Sequence, residues 1–376
     1  MRYPLVVRTR AAVVHEVGGP IEIEELELDG PYAGEVLIRW THAGLCHSDR
    51  HVVTGHLPMK LPFVLGHEGA GVVEEVGPGV RRVRPGDHVV CSFVPVCGRC
   101  RWCATGRQQL CDTGATNREG HLPGGRYPFA GRAGRYGAMC TVGTFSQYSV
   151  IDQNSAVRID ADLPPAAAAL VACGVPTGWG SAVYSAQTRP GDTVLVIGTG
   201  GVGINAVQGA RHAGARNVVG VDPVPYKRAA ALRFGATHAV ATLAEGHAVA
   251  VELTRGVGAD KAILTADLVT EELISGAFRA IGKGGRLVVT GGNKLDLLNV
   301  QLPAAELTLF AKTVTGAMFG NSNPTADIPM LLDLYRAGRL MLDELITRTY
   351  RLDEIAQGYA DLLAGRILRG VLVHEH

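Results

Sequence analysis

A chain of 376 residues, 47% hydrophobic and 19% charged, is long enough for more than one core and too apolar for disorder. Its formal net charge of +1 supplies no electrostatic footprint for nucleic acid or an anionic membrane. No apolar run reaches the roughly 20 residues of a spanning helix. Met1-Arg2-Tyr3-Pro4-Leu5-Val6-Val7-Arg8 has too short an apolar segment for a signal peptide, so a cytoplasmic protein is expected.

Residues 11–90 read as short strands and turns. Apolar and polar residues alternate in Ile21-Glu22-Ile23-Glu24 and in Glu35-Val36-Leu37-Ile38-Arg39-Trp40, and glycines break the pattern at Gly66 to Gly71 and Gly77-Pro78-Gly79. This predicts an antiparallel β lobe. A cysteine cluster follows, then a Gly/Arg-rich stretch from Thr113 to Gly137, expected to be a long irregular loop. Pro164-Pro165 opens a helix running through Ala166 to Cys173, and a second helix follows Gly174-Val175-Pro176-Thr177.

The pattern then changes. Thr193-Val194-Leu195-Val196-Ile197 is a continuous apolar strand, as expected when both faces are covered. A helix around Ala206-Val207-Gln208 leads to strand Asn217 to Val221. Helix Lys227 to Phe234 leads to His238-Ala239-Val240, and Arg286 to Thr290 is a later strand. That alternation predicts a doubly wound parallel sheet, an α/β domain. From about Gly320 helices and short strands return, ending in Gly370-Val371-Leu372-Val373. The expected division is 1–174, 175–319 and 320–376.

Four of the eight cysteines fall in Cys97-x2-Cys100-x2-Cys103-x7-Cys111. Clustered thiols without an export signal point to metal rather than disulfides. Four thiolates suit a closed, structural zinc site that fastens a loop lacking its own core. An iron–sulfur site or loose thiols are the alternative.

Gly44-Leu45-Cys46-His47-Ser48-Asp49 puts a thiol, an imidazole, a hydroxyl and a carboxylate on consecutive residues. Cys46 and His67 are candidate ligands of a second zinc, with Cys173 as the third. A catalytic zinc keeps three protein ligands and one open position. Taken singly, His67 among glycines also reads as structural and Cys173 as a buried thiol. Asp49 can accept a hydrogen bond from a ligand imidazole. Glu68 is either a supporting or transient extra ligand or part of a local salt bridge. Cys91 and Cys140 are assigned to packing.

Gly198-Thr199-Gly200-Gly201-Val202-Gly203 fits G-x-G-x-x-G between an apolar strand and a helix, the context for dinucleotide binding. Asp222 follows Gly203 by about 20 residues, where a carboxylate accepts ribose hydroxyls and repels a 2′-phosphate. NAD is therefore expected over NADP, with Lys227 and Arg228 nearby as the opposing observation.

With these motifs the sequence resembles the zinc-containing medium-chain alcohol dehydrogenases over nearly its full length. The resemblance implies a GroES-like β lobe, 1–174 and 320–376, carrying two zincs, and a Rossmann NAD-binding domain, 175–319. Cys46, His67 and Cys173 match the catalytic zinc motif, with Glu68 as a possible extra ligand; Cys97, Cys100, Cys103 and Cys111 match the structural one. Ser48 would hydrogen-bond the substrate oxygen, and His51 would pass its proton to solvent. His47 and Arg369 would contact the cofactor pyrophosphate, Thr177 the nicotinamide side and Lys227 the adenosine ribose. Gly198, Gly200, Gly201, Val202, Gly203 and Asp222 complete the cofactor set. Phe93 and Leu57 are expected to line an apolar pocket for primary aliphatic or aromatic alcohols and aldehydes. Leu57 and Ala115 stand where the glutathione-dependent formaldehyde branch uses an acid and an arginine, which sets that branch aside. A homodimer or homotetramer is implied, joined near Leu307-Thr308-Leu309-Phe310.

Cys97 to Gln108, Gly174 to Gly180 and Gly320 to Pro324 further resemble the bacterial nicotinoprotein subgroup, which keeps NAD(H) bound and passes electrons to a nitroso acceptor. Freely exchanging NAD is the first reading, the nicotinoprotein the second, and a non-catalytic zinc and NAD sensor the rival from another class.

Overall fold

The computed structural model describes residues 6–292 and 299–376. Met1 to Leu5, the start of the stretch weighed as a targeting segment, and residues 293–298 lie outside the described residues. The chain separates into two compact units, Met1–Cys173 with Asn323–His376, and Gly174–Ser322. No helix among the described residues is long and apolar enough to cross a membrane.

The first unit is built from strands. Val7–Val14, Glu22–Leu28, Phe129–Gly131, Gly134–Ala138 and Phe63–Val64 close into a small barrel. Its interior is filled by Leu26, Leu28, Val64, Phe129 and Tyr136, all essentially inaccessible. The stretch from Thr113 to Gly137 is therefore not the wholly irregular loop expected. It begins in a 3-10 turn, Asp112–Arg118, and contributes two barrel strands. Gly131-Arg132-Ala133-Gly134 makes their hairpin, and its short strands give too little alternation to stand out.

A second sheet runs Ala156–Ile159, His88–Cys91, Gly69–Val76, Glu35–Gly44, Arg369–Val373, Ile346–Arg351, and Tyr148–Asp152 also pairs with Glu35–Gly44. Glu35–Gly44 is the axis. Its far end pairs antiparallel with the last strand, Val371 opposite Gly44, and the next amide, Leu45 N, donates to Gly370 O at 2.9 Å. Gly44 N donates to Glu68 O at 3.1 Å. These bonds bring three distant stretches to one end of one strand. The Ala-rich helix Pro165–Leu170 packs over the same strand and over Gly69–Val76. The helix stops at Leu170, so Cys173 sits in the turn beyond it rather than at its end as expected.

The second unit is a six-stranded parallel sheet ordered His238–Val240, Asn217–Val221, Thr193–Ile197, Ala259–Leu264, Ile281–Val289, Thr313–Gly316. Val194, Leu195 and Val196 are fully buried, which is why that strand lacks alternation. The order reverses beside Thr193–Ile197, which makes its carboxyl end the topological switch point of the sheet. The 3-10 turn Met318–Asn321 belongs to this unit, so the chain returns to the first unit at Asn323 rather than Gly320.

The last helix, Ile355–Leu363, is anchored by a buried carboxylate. Asp361 accepts from Tyr350 Oη at 2.7 Å, Arg348 Nη1 at 2.9 Å, Arg366 Nε at 2.8 Å and Gln357 Nε2 at 2.9 Å. The Tyr350 hydroxyl and Arg366 hold its pKa down at about 2. That is below the unfolded value near 3.9, so the stabilisation is complete above pH ~4 and is lost as pH falls toward 2. Asp361→Asn is expected to lower the melting temperature by several degrees at neutral pH. Melting curves should show the gap to wild type closing as the pH approaches 2.

Candidate metal centres and nucleotide loop

Cys46 is the N-cap of the short helix His47–Val53, and that helix carries His47, Ser48, Asp49 and His51. Asp49 is fully buried. Its Oδ1 accepts from Gly66 N at 2.8 Å, and its two oxygens lie 3.2 and 3.1 Å from His67 Nδ1. One carboxylate thus fixes both the loop before His67 and the ring itself. With Nδ1 committed, Nε2 is the nitrogen left to bind a metal. One ligand atom each from Cys46, His67, Glu68 and Cys173 falls within 4.8 Å of all the others. All four residues are buried.

The charges are consistent with a metal site. The hydrogen bond from Cys173 holds the Cys46 thiol far below its ordinary range against the opposing effect of burial, helped by His67 and Arg369. The same bond, with burial, pushes Cys173 up. Burial pushes His67 down, but Asp49, Cys173 and Cys46 outweigh it and the net shift is upward. An anionic, two-sulfur, one-nitrogen pocket suits zinc.

Glu68 would close the fourth position, but Arg369 holds it. Burial raises the Glu68 pKa to about 7 against the pull of Arg369, and Arg369 Nη2 pairs with Glu68 Oε2 inside the protein. Gly44 makes room for that pair, because a Cβ there would strike Glu68 Oε2 and lie 3.0 Å from Arg369 Nη2. The two partners are 301 residues apart, so no local pattern announces the contact. Cys91 also does more than pack: its thiol donates to His67 O at 3.4 Å. Cys140 sits in left-handed backbone, φ 51°, a conformation rare for a residue with a side chain.

Ser48 Oγ lies 3.6 Å from Cys46 Sγ. His51 is one helical turn further on the same face and meets His56 edge-on at 5.8 Å. His47 is half-buried in the first turn. Phe93 presents its ring edge to His67 at 6.0 Å, while Leu57 N donates to His51 O at 2.9 Å.

The second cluster is Cys97, Cys100, Cys103 and Cys111, again within 4.8 Å of one another, and all eight cysteines are free of disulfides. Cys100 Sγ and Cys111 Sγ are 3.9 Å apart. A tetrahedron with Zn–S bonds of about 2.3 Å has edges of about 3.8 Å. Three amides point at the sulfurs: Cys97 N at Cys111, Cys100 N at Cys97 and Cys103 N at Cys100, at 3.4 to 3.5 Å. Burial raises Cys97, but the Arg99 and Cys100 amides prevail and bring it to about 6.

In the second unit the glycines of the loop meet backbone where a side chain would fit. A Cβ on Gly203 would strike Gly198 O, and Gly198 at φ 91° would crowd Ala266 N at 2.8 Å. Gly201 opens the 12-residue helix Gly201–His212, whose first amides have no side-chain cap. Such a bare N-terminus suits a pyrophosphate. Asp222 is buried and accepts from Thr199 N and Val224 N, both at 2.9 Å. Lys227 Nζ lies over Gly200. Arg228 spends its guanidinium on the carbonyls of Asp222 and Pro223, which reduces its weight as a 2′-phosphate partner. Thr177 O accepts from Ser181 Oγ at 2.6 Å, and Gly178 abuts Val202 O.

Residues 32–161 match the alcohol dehydrogenase GroES-like domain family, and residues 201–337 match the zinc-binding dehydrogenase family. An NDMA-dependent alcohol dehydrogenase of Amycolatopsis methanolica is 55% identical over 98% of this chain and 100% of its own length. This chain belongs to the zinc-containing alcohol dehydrogenases. It combines a GroES-like lobe with a Rossmann domain and is a zinc- and nicotinamide-dependent alcohol oxidoreductase. An alcohol dehydrogenase zinc-binding domain protein of Burkholderia ambifaria superposes with a TM-score of 0.92 at 34% identity, over 99% of this chain and 100% of that one. Benzyl alcohol dehydrogenase of Acinetobacter calcoaceticus gives 0.91 at 29%, over 98% and 100%.

Two outcomes follow. Cysteine ligates zinc as the thiolate, so zinc uptake displaces any proton that Cys46 or Cys173 carries. Zinc affinity, measured by competition with a chelator, is expected to rise across neutral pH by about tenfold per pH unit for each proton displaced. Cys111→Ser should remove one zinc per chain in elemental analysis and lower the melting temperature, leaving the Cys46 centre loaded.

Proposed function

We propose that this alcohol dehydrogenase works as a nicotinoprotein, holding its dinucleotide through turnover and passing electrons to an external acceptor. The observation that carries this reading is the 55% identity, over nearly the full length, to an NDMA-dependent relative. It reverses the order set by the motifs alone, where freely exchanging NAD came first. NAD rather than NADP is the dinucleotide, supported by the buried Asp222 carboxylate beside the glycine loop. The substrates are primary aliphatic or aromatic alcohols and their aldehydes, with the likeness to a benzyl alcohol dehydrogenase supporting the aromatic members.

Cys46, His67 and Cys173 hold the catalytic zinc, and Cys97, Cys100, Cys103 and Cys111 the structural one. Bound there, zinc supplies Lewis acidity toward an alcohol oxygen, and the nicotinamide supplies a hydride acceptor. Asp49 keeps the His67 ring aimed at the metal position. Arg369 keeps the Glu68 carboxylate occupied, so that a substrate oxygen meets an open position. Ser48 Oγ takes the hydroxyl proton, and His51 carries it toward solvent. His47 and Lys227 serve the phosphates and ribose of the dinucleotide, with Thr177 on its nicotinamide side and Gly198 to Gly203 at the pyrophosphate. Arg369 joins them at the pyrophosphate through guanidinium nitrogens other than the Nη2 that holds Glu68.

Copies of the chain pair through the second unit as a dimer or tetramer. Leu307, Leu309 and Phe310 are exposed on and just beyond helix Ala304–Leu309, near the edge strand Thr313–Gly316. Eight unpaired cysteines support a cytoplasmic setting.

Exhaustively dialysed protein should keep its nicotinamide absorbance and oxidise alcohol with a nitroso acceptor and no added NAD. Protein that emerges colourless near 340 nm and inactive until NAD is supplied contradicts the nicotinoprotein reading. Ser48→Ala is expected to lower kcat by about 10²–10⁴-fold; an unchanged kcat removes Ser48 from proton transfer.

A further inference from the structure

A cleft of about 350 Å³ opens in the second unit at the amino ends of its strands, where Thr193, Asn217 and Asp260 stand on its wall. That volume lies in the range of small-molecule sites. The glycine loop begins beyond the opposite end of strand Thr193–Ile197. Five residues of strand therefore hold the cleft and the loop roughly 15 Å apart, at opposite edges of one sheet.

Most of the polar lining is already paired within the fold. Asn217 Nδ2 donates to Thr193 Oγ1 at 3.0 Å, and Thr193 N donates to Asp260 Oδ2 at 2.8 Å. Thr254 Oγ1 donates to Ala250 O at 2.6 Å and accepts from Gly258 N at 2.9 Å. Asp192, between the lining residues Gly191 and Thr193, accepts from Arg189 N at 2.8 Å and lies 3.9 Å from Lys261 Nζ. The remaining two lining groups differ. Arg216 and Arg255 are exposed, and neither guanidinium has a hydrogen bond or ion pair among the described residues. Two cations against the single carboxylate of Asp260 leave the cleft positive.

The backbone fixes where these arginines stand. Arg216 N donates to Asp192 O at 2.8 Å, immediately ahead of strand Asn217–Val221. Arg255 N donates to Glu252 O at 3.1 Å, just beyond helix Leu243–Leu253. Its φ of 55° is left-handed, in a place that glycine commonly fills. A cation is favoured at a helix C-terminus, which accounts for Arg255 but not for Arg216 on the same cleft. Like charges on one cleft repel, and an anion between them relieves the repulsion.

We propose that Arg216 and Arg255 form a binding site for a small phosphate monoester, separate from the dinucleotide site. A guanidinium matches phosphate oxygens bidentately, and a monoester carries nearly two negative charges at neutral pH. Inorganic phosphate alone would leave most of the cleft empty, and the organic remainder has Leu253 to lie against. A neutral sugar or alcohol would meet polar groups that are already spent. The site calls on neither the zinc nor the nicotinamide, so it stands apart from the function proposed above.

Isothermal titration of the dinucleotide-saturated protein with glycerol 3-phosphate tests this, because an occupied glycine loop cannot take the phosphate. Saturable binding is expected, with glycerol silent. The Kd should rise about tenfold or more in each of Arg216→Gln and Arg255→Gln. Both side chains are exposed and lie outside the alcohol-oxidising set, so the variants are expected to keep the wild-type kcat; either one decides if the other fails to fold. Absence of binding up to about 10 mM overturns the site. So does a Kd that is unchanged in both variants, since the phosphate then sits elsewhere. Succinate binding as tightly as glycerol 3-phosphate overturns the phosphate assignment.

Discussion

The buried pairing of Arg369 with Glu68 decides what kind of metal site this is. Two sulfurs, an imidazole nitrogen and a carboxylate oxygen within 4.8 Å of one another are a complete tetrahedral set. Left to itself, such a set would close around zinc and leave no place for substrate. The guanidinium takes the carboxylate, and three ligands remain. The contrast with the four-cysteine cluster is instructive. There all four donors are alike, and backbone amides stabilise the sulfurs. On the function proposed above, one fold carries a closed site that supplies stability and an open one that supplies chemistry.

The sheet explains how residues so far apart meet. Strand Glu35–Gly44 ends at Gly44, whose missing side chain admits the ion pair, and the next residues deliver Cys46 and the helix bearing Ser48 and Asp49. The neighbouring strand delivers His67 and Glu68, and the C-terminal strand delivers Arg369. The covering helix leads to Cys173, the last residue before the chain passes into its second unit. Main-chain ladders therefore set the spacing of the site, and Asp49 sets the orientation of its one imidazole.

Much of this was legible in the residues, and what was not shares a cause. The parallel sheet declared itself through unbroken apolar strands such as Thr193–Ile197, because both faces are buried. The four-cysteine cluster declared itself because its ligands are close in sequence, and the glycine loop because its turn admits no side chain. The small barrel did not, since Phe129–Gly131 and Gly134–Ala138 are too short to show a period and lie in a glycine-rich stretch. The Arg369–Glu68 contact, the strained turn at Cys140-Thr141 and the thiol of Cys91 on His67 O were equally silent. Each depends on long-range packing that carries no local signature.

The central claim is an open metal position framed by Cys46, His67 and Cys173, with Glu68 kept off it by Arg369. Anomalous diffraction at the zinc edge from crystals of the intact protein tests this most directly. The account predicts two peaks per chain, one within four sulfurs and one bonded to two sulfurs and His67 Nε2 with the Glu68 carboxylate still on Arg369. A single peak, or a second zinc with Glu68 as its fixed fourth ligand, would contradict it.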